Sequence, residues 1–362
     1  MQGVDFPVFK TKTAGVEEKF DLNDLNGRRR YFDVKAGEEI KKLRDYLNSG
    51  KTFVGYLLGK KNSGKGTYTK LFIEALGLSD KIGHVSIGDV VRDVHAGLSD
   101  EAKKNELIEF MKNNYRGFHT IEEITSLIEG RSQSSLISTE LVIALLKFEI
   151  SKRPHQAIFI DGFPRGLDQI NYSIFLKELL GYREDPDFFV FINLPNAIIE
   201  ERIKRRVICP VCKTPRNLKL LATKDVGYDE TTKSFYLMCD NPPCNKARMV
   251  PKEGDELGIE PIRERLETDD KIFKVLLDLQ GVPKVYLRNS VPASKAAESV
   301  DEYELTPAYS YELQADGTVK TKEDTWIVND DDGIPSHSLL PPAVVVGMIK
   351  QIAQVLGLER KK

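Results

Sequence analysis

Short apolar runs alternate with amphipathic segments along most of the chain. The runs at 52–58, 157–160 and 188–192 have the length of buried strands and are rich in aromatic and β-branched residues. Helix-like periodicity follows two of these runs, at 67–76 and 195–206. Because parallel strands are joined by crossover connections that are usually helices, this alternation predicts an α/β fold, in which helices cover both faces of a parallel sheet.

Weaker patterns extend the same architecture. The further predicted helices are at 38–47, 88–94, 101–112, 120–130, 138–150, 260–279 and 342–357, and the further strands are at 84–86 and 284–287. An Asp-Gly pair between two strand-like stretches predicts a β-hairpin within 301–335. The last core strand has two candidates, 284–287 and 326–328, and the pattern does not decide between them.

Composition narrows the class of protein. The chain has 362 residues, 41% of them hydrophobic, which is enough apolar material for a folded core. Its net charge is −2, so a general polyanion binder is excluded and any basic site must be a local cluster. The sequence shows neither the apolar stretch of a signal peptide nor a run of about 18 apolar residues, and we therefore expect a cytoplasmic protein without a membrane span.

Residues 59–67 form a candidate phosphate loop between the first strand and its helix. They read GKKNSGKGT, so Gly59, Gly64 and Lys65 fit the pattern G-x-x-x-x-G-K. Glycines let backbone N–H groups approach a phosphate at the positive end of a helix, and the lysine adds a point charge. A surface turn is the ordinary alternative, but the preceding strand and the following helix favour nucleotide binding. The strict motif has Ser or Thr directly after the lysine, whereas here a glycine intervenes.

Four motifs, taken in order, resemble the adenylate kinase family of nucleoside monophosphate kinases. They are GKGT at 64–67, SIGDVVR at 86–92, LISTELV at 136–142, and DGFPR at 161–165 followed by Gln169. Each short match could arise by chance, but four in the family's order make chance an unsatisfactory explanation. The resemblance implies a P-loop kinase, with a central five-stranded parallel sheet flanked by helices, a subdomain that binds the monophosphate and a zinc-bearing lid.

The resemblance also implies roles for individual residues. The donor ATP would be bound by Gly59, Asn62, Ser63, Gly64, Lys65, Gly66 and Thr67, with Arg202 against its base. The acceptor monophosphate would be bound by Ser86, Ile87, Arg92, Ile137, Gly162, Arg165 and Gln169. The catalytic residues would be Lys65, Arg92, Asp161, Arg165, Arg206 and Arg265, with Asp161 orienting magnesium-bound water.

Elementary chemistry agrees with these roles. Phosphoryl transfer needs little covalent chemistry from a protein; it needs in-line positioning and cations where negative charge spreads over the phosphate oxygens. Arginine provides such charge in a bidentate geometry. Ordinary alternatives exist: Arg202 and Arg206 could lie on a solvated helix face with Glu200 and Glu201, and Asp161 could cap a helix.

Two features bear on the identity of the acceptor base in opposite directions. Ile87 stands where the family has a threonine that helps to recognise adenine, and this favours a kinase directed to UMP or CMP. Gln169 and the LIST stretch at 136–139 favour AMP instead.

A further departure concerns the lid. Counting back from Arg265, Gly254 stands where the family has another phosphate-binding arginine. Arg248 and Lys252 are the candidate substitutes.

All four cysteines lie within one short stretch. They form two pairs, CPVC and CDNPPC, separated by 26 residues: Cys209, Cys212, Cys239 and Cys244. Two close pairs can supply four thiolates to tetrahedral Zn²⁺, and a site closed by four protein ligands is structural rather than catalytic. Four free buried thiols and a zinc ribbon that binds nucleic acid are the alternatives. The four cysteines begin just after Arg206, and this position resembles the family's zinc-bearing lid. We call residues 207–257 the cysteine segment.

We therefore expect an adenylate kinase-like enzyme that uses Mg²⁺ to transfer a phosphoryl group from ATP to AMP, giving two ADP, and that carries a structural Zn²⁺. The alternatives are a UMP/CMP-type kinase and a non-catalytic protein that binds nucleotide or nucleic acid. We expect a monomer that binds neither membranes nor nucleic acid. The expected parts are an N-terminal extension (1–50), a core (51–87, 151–206 and 258–362, with an acidic hairpin at about 296–335), a monophosphate-binding subdomain (88–150) and the lid (207–257).

Overall fold

The computed structural model describes residues 6–129, 138–252, 255 and 257–358. The strands are β1 (Val54–Gly59), β2 (Ile82–Ser86), β3 (Ala157–Asp161), β4 (Asp187–Asn193), β5 (Arg206–Ile208), β6 (Pro215–Asn217), β7 (Val226–Asp229), β8 (Ser234–Leu237), β9 (Val250–Pro251), β10 (Lys284–Arg288), β11 (Ser290–Pro292), β12 (Pro307–Leu313), β13 (Val319–Thr325), β14 (Val328–Asn329) and β15 (Pro335–Ser338). The helices are α1 (Leu25–Asn48), α2 (Lys65–Leu76), α3 (Ile87–Gly97), α4 (Glu101–Asn114), α5 (Ile121–Glu129), α6 (Thr139–Ser151), α7 (Ile170–Leu179), α8 (Asn196–Lys204), α9 (Arg263–Asp278), α10 (Ala293–Ser299) and α11 (Pro341–Val355).

The centre of the molecule is a five-stranded parallel sheet in the order β10-β4-β1-β3-β2. Alternate side chains of its strands enter two different apolar clusters. Leu57 belongs to a cluster with α1, α2 and α11, whereas Tyr56 belongs to a cluster with α3 to α7 and α9. Burial on both faces explains why the core strands are continuously apolar, and the predicted α/β fold is confirmed.

The register of the strands brings their carboxyl ends to one edge of the sheet. Leu57 and Ser86 both pair with Asp161, and Gly59 pairs with Ile192. In open parallel sheets this edge is where ligands bind, because the loops leaving the strands open outward there. The motifs predicted to bind nucleotide therefore converge in space although they lie far apart along the chain.

The structure decides between the two candidates for the last core strand. Residues 284–288 pair with β4 as β10, whereas Val328 belongs to a separate antiparallel sheet in the order β11-β15-β14. The extra residues of this region therefore follow the last core strand. We call residues 290–340, which lie between Asn289 and α11, the insertion.

The N-terminal extension packs on the core. The pattern at 38–47 predicts only part of its helix: α1 begins at Leu25, because Asp24 caps it by accepting a hydrogen bond from Gly27 N at 2.9 Å. Arg44 donates to the carbonyls of Leu76 and Ala75, at 2.7 and 3.1 Å, and so satisfies the C-terminal end of α2.

The extension also reaches the insertion. Glu304 is fully buried and accepts hydrogen bonds from the hydroxyl of Tyr31 and, at 2.5 Å, from the hydroxyl of Thr11. Lys35 Nζ lies 2.7 Å from Asp301 Oδ2. The two parts that lie outside the resemblance are thus joined to each other as well as to the core.

The cysteine segment has a small core of its own. Strands β6, β5 and β9 form one sheet and β7 and β8 form a hairpin. Val207, Leu237 and Met249 pack with the cysteines between them. The hairpin β12–β13 of the insertion lies against this segment: Tyr311 Oη donates to Leu218 O at 2.6 Å and Tyr309 N donates to Lys219 O at 2.7 Å.

Within residues 6–129, 138–252, 255 and 257–358, none of the helices combines the length and the apolar character needed to cross a bilayer.

Candidate functional site

The phosphate loop connects β1 to α2 at the ligand-binding edge of the sheet. A Cβ atom on Gly59 would lie 2.9 Å from Ser63 Oγ and 3.1 Å from Ile192, so only glycine lets the loop turn here. Gly64 has φ of +103°, a conformation that L side chains rarely adopt. The helix begins at Lys65, so the loop presents backbone N–H groups at the positive end of a helix dipole.

Lys65 folds back over this loop. Its Nζ donates to the carbonyls of Gly59 and Lys60, at 2.6 and 3.0 Å, and lies 3.7 Å from Asp161 Oδ1. Burial lowers the pKa of Lys65, although the carboxylates of Asp161 and Asp269 act in the opposite direction. A buried ammonium held at the mouth of a helix N-terminus is suited to an anionic ligand such as a phosphate chain.

Asp161 ends β3 beside the loop. Its Oδ1 is buried and accepts no hydrogen bond from any residue in the described part of the chain. Burial raises the pKa of the nearby Asp269, while Arg265 and Lys65 oppose that shift. Carboxylate oxygens in contact with a phosphate site are the ligands that Mg²⁺ or its bound water prefers, so the residues present fit a magnesium ion.

Arg206 joins the cysteine segment to the phosphate loop. Its Nε and Nη2 donate to the two carboxylate oxygens of Asp255, at 2.5 and 2.7 Å, and its Nη1 donates to Asn62 Oδ1 at 3.0 Å. Arg202 likewise turns toward the loop, donating to Asn62 O at 3.4 Å and to Asn289 Oδ1 at 3.1 Å. Arg202 faces the loop from α8, and Arg206 faces it from β5, because the helix predicted over 195–206 ends at Lys204. Neither arginine therefore lies on a solvated helix face.

Lys61 belongs to the same group of cations, although the motif treats its position as variable. It is half-buried, and its pKa is lowered by burial and by the neighbouring charges of Arg265, Lys252 and Arg206, with Asp255 opposing. Asp255, the carboxylate that opposes this shift, already binds Arg206 in a bidentate manner. The sequence signal that could have identified Lys61 is a second lysine inside the loop.

Two arginines converge on the acceptor side of the sheet edge. Both guanidinium groups lie beside Gly88: a Cβ atom on this glycine would be 3.5 Å from Arg92 Nη1 and 3.7 Å from Arg165 Nη2. The corresponding position on Gly162, which has φ of +94°, would lie 2.6 Å from Arg165 Nη2, so glycine is required there. Arg92 is the exposed member: 70% of its side chain is accessible, and it pairs with Asp89 on its own helix.

The remaining residues assigned to the acceptor site are placed unevenly. Gln169 is buried, and its Oε1 accepts a hydrogen bond from Arg165 N at 2.8 Å. Ser86 is the N-cap residue of α3, and Ile87 is buried at the start of that helix. Leu136 and Ile137, the first half of the LIST stretch, lie outside the described residues, whereas Ser138 caps α6 by accepting from Leu141 N at 3.4 Å.

The four cysteines meet in one cluster. Their sulfur atoms all lie within 4.8 Å of one another, the Cys212 and Cys239 sulfurs are 3.7 Å apart, and no pair forms a disulfide. Tetrahedral zinc with Zn–S bonds of about 2.3 Å would place its sulfur ligands about 3.8 Å apart. The residues present therefore fit a structural Zn²⁺ with four thiolate ligands.

The candidates for the missing lid arginine can be compared. Arg248 donates to Asp229 Oδ2 at 2.7 Å and lies 4.2 Å from the ring centroid of Tyr236, so it is occupied within the cysteine segment. Lys252 is close enough to Arg206 for that charge, after burial, to lower the pKa of Lys252. Of the two candidates, Lys252 is the one influenced by the charge of Arg206; Gly254 itself lies outside the described residues.

No family model matches the chain. Curated relatives do: adenylate kinase from Thermotoga petrophila is 30% identical over 201 residues, covering 55% of this chain and 73% of the relative. Adenylate kinase from Thermosipho africanus is 30% identical over 236 residues, covering 64% and 95%. Adenylate kinase from Mycoplasma mobile is 27% identical over 223 residues, covering 61% and 82%.

Proposed function

Since the chain belongs to the adenylate kinase family and is a nucleoside monophosphate kinase, we propose that it catalyses the Mg²⁺-dependent transfer of the ATP γ-phosphoryl group to AMP, giving two ADP. The observation that carries this proposal is the placement of Lys65. It lies at the N-terminus of α2, inside a glycine-permitted loop and 3.7 Å from the Asp161 carboxylate.

The charge around that lysine supports phosphoryl transfer. Three cations lie near Lys61 of the loop: Lys252, Arg206 and Arg265. Arg165 and Arg92 approach from the proposed acceptor side. An excess of cations at one place is stabilised when a polyphosphate binds among them. The same cations would stabilise the charge that develops on the transferred group.

We propose the following roles for the residues of the site. Lys65 and the loop amides would bind the β- and γ-phosphates of ATP, and Arg165 and Arg92 would bind the phosphate of AMP. Asp161 would hold Mg²⁺ through its bound water, and the ion would supply positive charge that neutralises the donor phosphates. Closure of the cysteine segment, which Arg206 connects to the loop, would exclude the water that otherwise hydrolyses ATP.

AMP is the proposed acceptor on the strength of Gln169. Because its Oε1 accepts from Arg165 N, its amide nitrogen is the group left to donate to a base. A donor at this place suits the N1 acceptor of adenine, whereas N3 of uracil carries a hydrogen. Ile87 supplies no hydrogen bond to a base, and this keeps a CMP- or UMP-directed kinase as the second candidate.

Nucleic-acid binding has less support. Four basic side chains of the cysteine segment are paired with acids: Arg216 with Asp240, Lys219 with Glu201, Lys246 with Asp225, and Arg248 with Asp229. A basic patch that recognises a phosphate backbone needs cations that are not already neutralised. We propose instead that this segment is a zinc-stabilised lid spanning 207–257.

A coupled assay with MgATP tests the proposal against AMP, CMP, UMP, GMP and dTMP as acceptors. Turnover should be highest with AMP, and omission of Mg²⁺ should abolish it. Preference for CMP or UMP would favour the second candidate, and no turnover with any acceptor would overturn the kinase proposal. The domain limits, a cytoplasmic location and a monomeric state stay predictions.

A further inference from the structure

Asn289 is a fully buried polar residue directly after β10 that the sequence motifs do not include. Its side chain is enclosed at the carboxyl edge of the sheet, and its backbone N donates to Asn193 O at 3.0 Å. The side-chain Nδ2 donates to Tyr68 Oη at 2.6 Å and to Leu339 O at 3.2 Å. Both hydrogens of the amide are therefore used.

The other end of the same amide faces Arg202. Asn289 Oδ1 accepts from Arg202 Nη2 at 3.1 Å and from Ser338 Oγ at 3.0 Å. A guanidinium can only donate and the Leu339 carbonyl can only accept, so the partners fix which end of the amide is oxygen. The side chain cannot turn over without breaking this set of hydrogen bonds.

Arg202 is consequently held at two points. One is Asn289 at the end of β10, and the other is Asn62 O in the phosphate loop, 3.4 Å from Arg202 Nη1. A planar guanidinium fixed in this way presents its face to a ring, an arrangement that stabilises a stacked base. Two of the groups that hold Asn289, Ser338 and Leu339, belong to the insertion.

We propose that Asn289 is a positioning residue for the donor base: it fixes the plane of Arg202, and the insertion supports it through Ser338. The proposal rests on the proposed donor site, and it adds that the insertion contributes to ATP recognition. Asn289 itself would not touch the nucleotide.

Binding measurements separate this role from a general structural one. Calorimetric titration of the full chain with ATP, and with inorganic tripolyphosphate, compares a ligand that has a base with one that has none. The variant Asn289→Leu should bind ATP about tenfold more weakly and tripolyphosphate with an affinity within about twofold of wild type. Equal weakening of both ligands, or of neither, would overturn the proposal.

A double-mutant cycle tests whether Asn289 acts through Arg202. If it does, Asn289→Leu combined with Arg202→Ala should bind ATP no more weakly than Arg202→Ala alone. Additive losses would contradict the proposal. Neither result depends on turnover, so failure of the kinase proposal in the acceptor assay would be seen separately.

A milder variant covers the possibility that Asn289→Leu does not fold. Ser338→Ala removes one donor to Asn289 Oδ1 and should weaken ATP binding about threefold with tripolyphosphate unaffected. Ser173→Ala is the matched control, because its buried hydroxyl donates at 2.6 Å to Ile170 O, away from the site. A Ser338→Ala protein that binds ATP like the control would overturn the role of the insertion.

Discussion

The proposed donor and acceptor sides of the site are built differently. On the donor side, Lys65, Arg202 and Arg206 each make hydrogen bonds to the phosphate loop. On the acceptor side, Arg92 is 70% exposed and pairs with Asp89 on its own helix. Contacts with the loop therefore hold the proposed donor groups in place, whereas Arg92 must leave Asp89 before it can bind a phosphate.

The cause lies in the elements that carry these residues. Lys65 lies at the N-terminus of α2, Arg202 on α8 and Arg206 at the start of β5. Asp255 of the cysteine segment binds Arg206. Arg92 lies on α3, a helix at the sheet edge. Preorganised groups contribute more to a transition state than groups that must first be ordered, so we expect donor-side changes to act mainly on turnover and acceptor-side changes on AMP binding.

Lys65→Ala should have the largest effect. It removes the buried cation of the phosphate loop, and we expect turnover to fall about 10³-fold while the protein stays folded. Steady-state rates with MgATP and AMP measure this, and thermal unfolding checks the fold. Lys70→Ala, an exposed lysine on the same helix, is the control. Wild-type turnover in Lys65→Ala would contradict the assignment of the phosphate loop.

Arg165→Ala tests the acceptor side. Because a bidentate charged contact to the monophosphate would be lost, we expect KM for AMP to rise about 100-fold with KM for ATP within about twofold of wild type. Arg183→Ala, an exposed arginine after α7, controls for loss of charge. A rise confined to KM for ATP would show that Arg165 binds the donor and not the acceptor.

Zinc removal tests the cysteine segment. Purified protein should contain one zinc per chain, and chelation should lower turnover about 30-fold, because Arg206 at the base of the segment loses its fixed position. Limited proteolysis should then cut within 207–257 first, and added Zn²⁺ should restore both properties. A zinc content near zero in fully active protein would exclude the structural zinc.

Lys61→Met asks whether the unpredicted lysine belongs to the donor side. The substitution keeps the length of the side chain and removes the positive charge of Lys61, which lies near those of Arg206, Lys252 and Arg265. We expect KM for ATP to rise about tenfold, and Lys61→Arg to recover most of that loss. If KM for AMP changes instead, Lys61 faces the acceptor.

Tyr311→Ala should have the smallest effect. It removes the hydrogen bond to Leu218 O and the ring contact with Phe235, whose centroid lies 5.5 Å away, so the hairpin would hold the cysteine segment less firmly. Stopped-flow displacement should show ATP leaving about fivefold faster. Ser310→Ala, an exposed neighbour on β12, is the control. An unchanged rate would show that the hairpin does not restrain the segment.

Local patterns predicted the core strands because each strand carries its own short apolar signal in the sequence. Apolar runs identified three strands of the central sheet, a weaker pattern identified a fourth at 84–86, and the glycines around Lys65 identified the loop. The last strand stayed undecided, because both candidates are short and only pairing with β4 distinguishes them.

The supporting contacts could not be predicted in the same way. Asp255 lies far from Arg206 along the chain, and the partners of Asn289 come from α2, α8 and the insertion. A polar residue in such a place has no periodicity or motif spacing. Its importance becomes visible only when the strand order brings these segments together at one edge of the sheet.

The most direct test of the account follows the transferred phosphoryl group itself. Wild-type protein is incubated with Mg²⁺, AMP carrying a tritium label and ATP carrying ³²P at its γ-phosphate, and the products are separated. The account predicts that ³²P appears in tritium-labelled ADP, formed in one step from AMP. Release of ³²P as inorganic phosphate, with AMP unchanged, would contradict it.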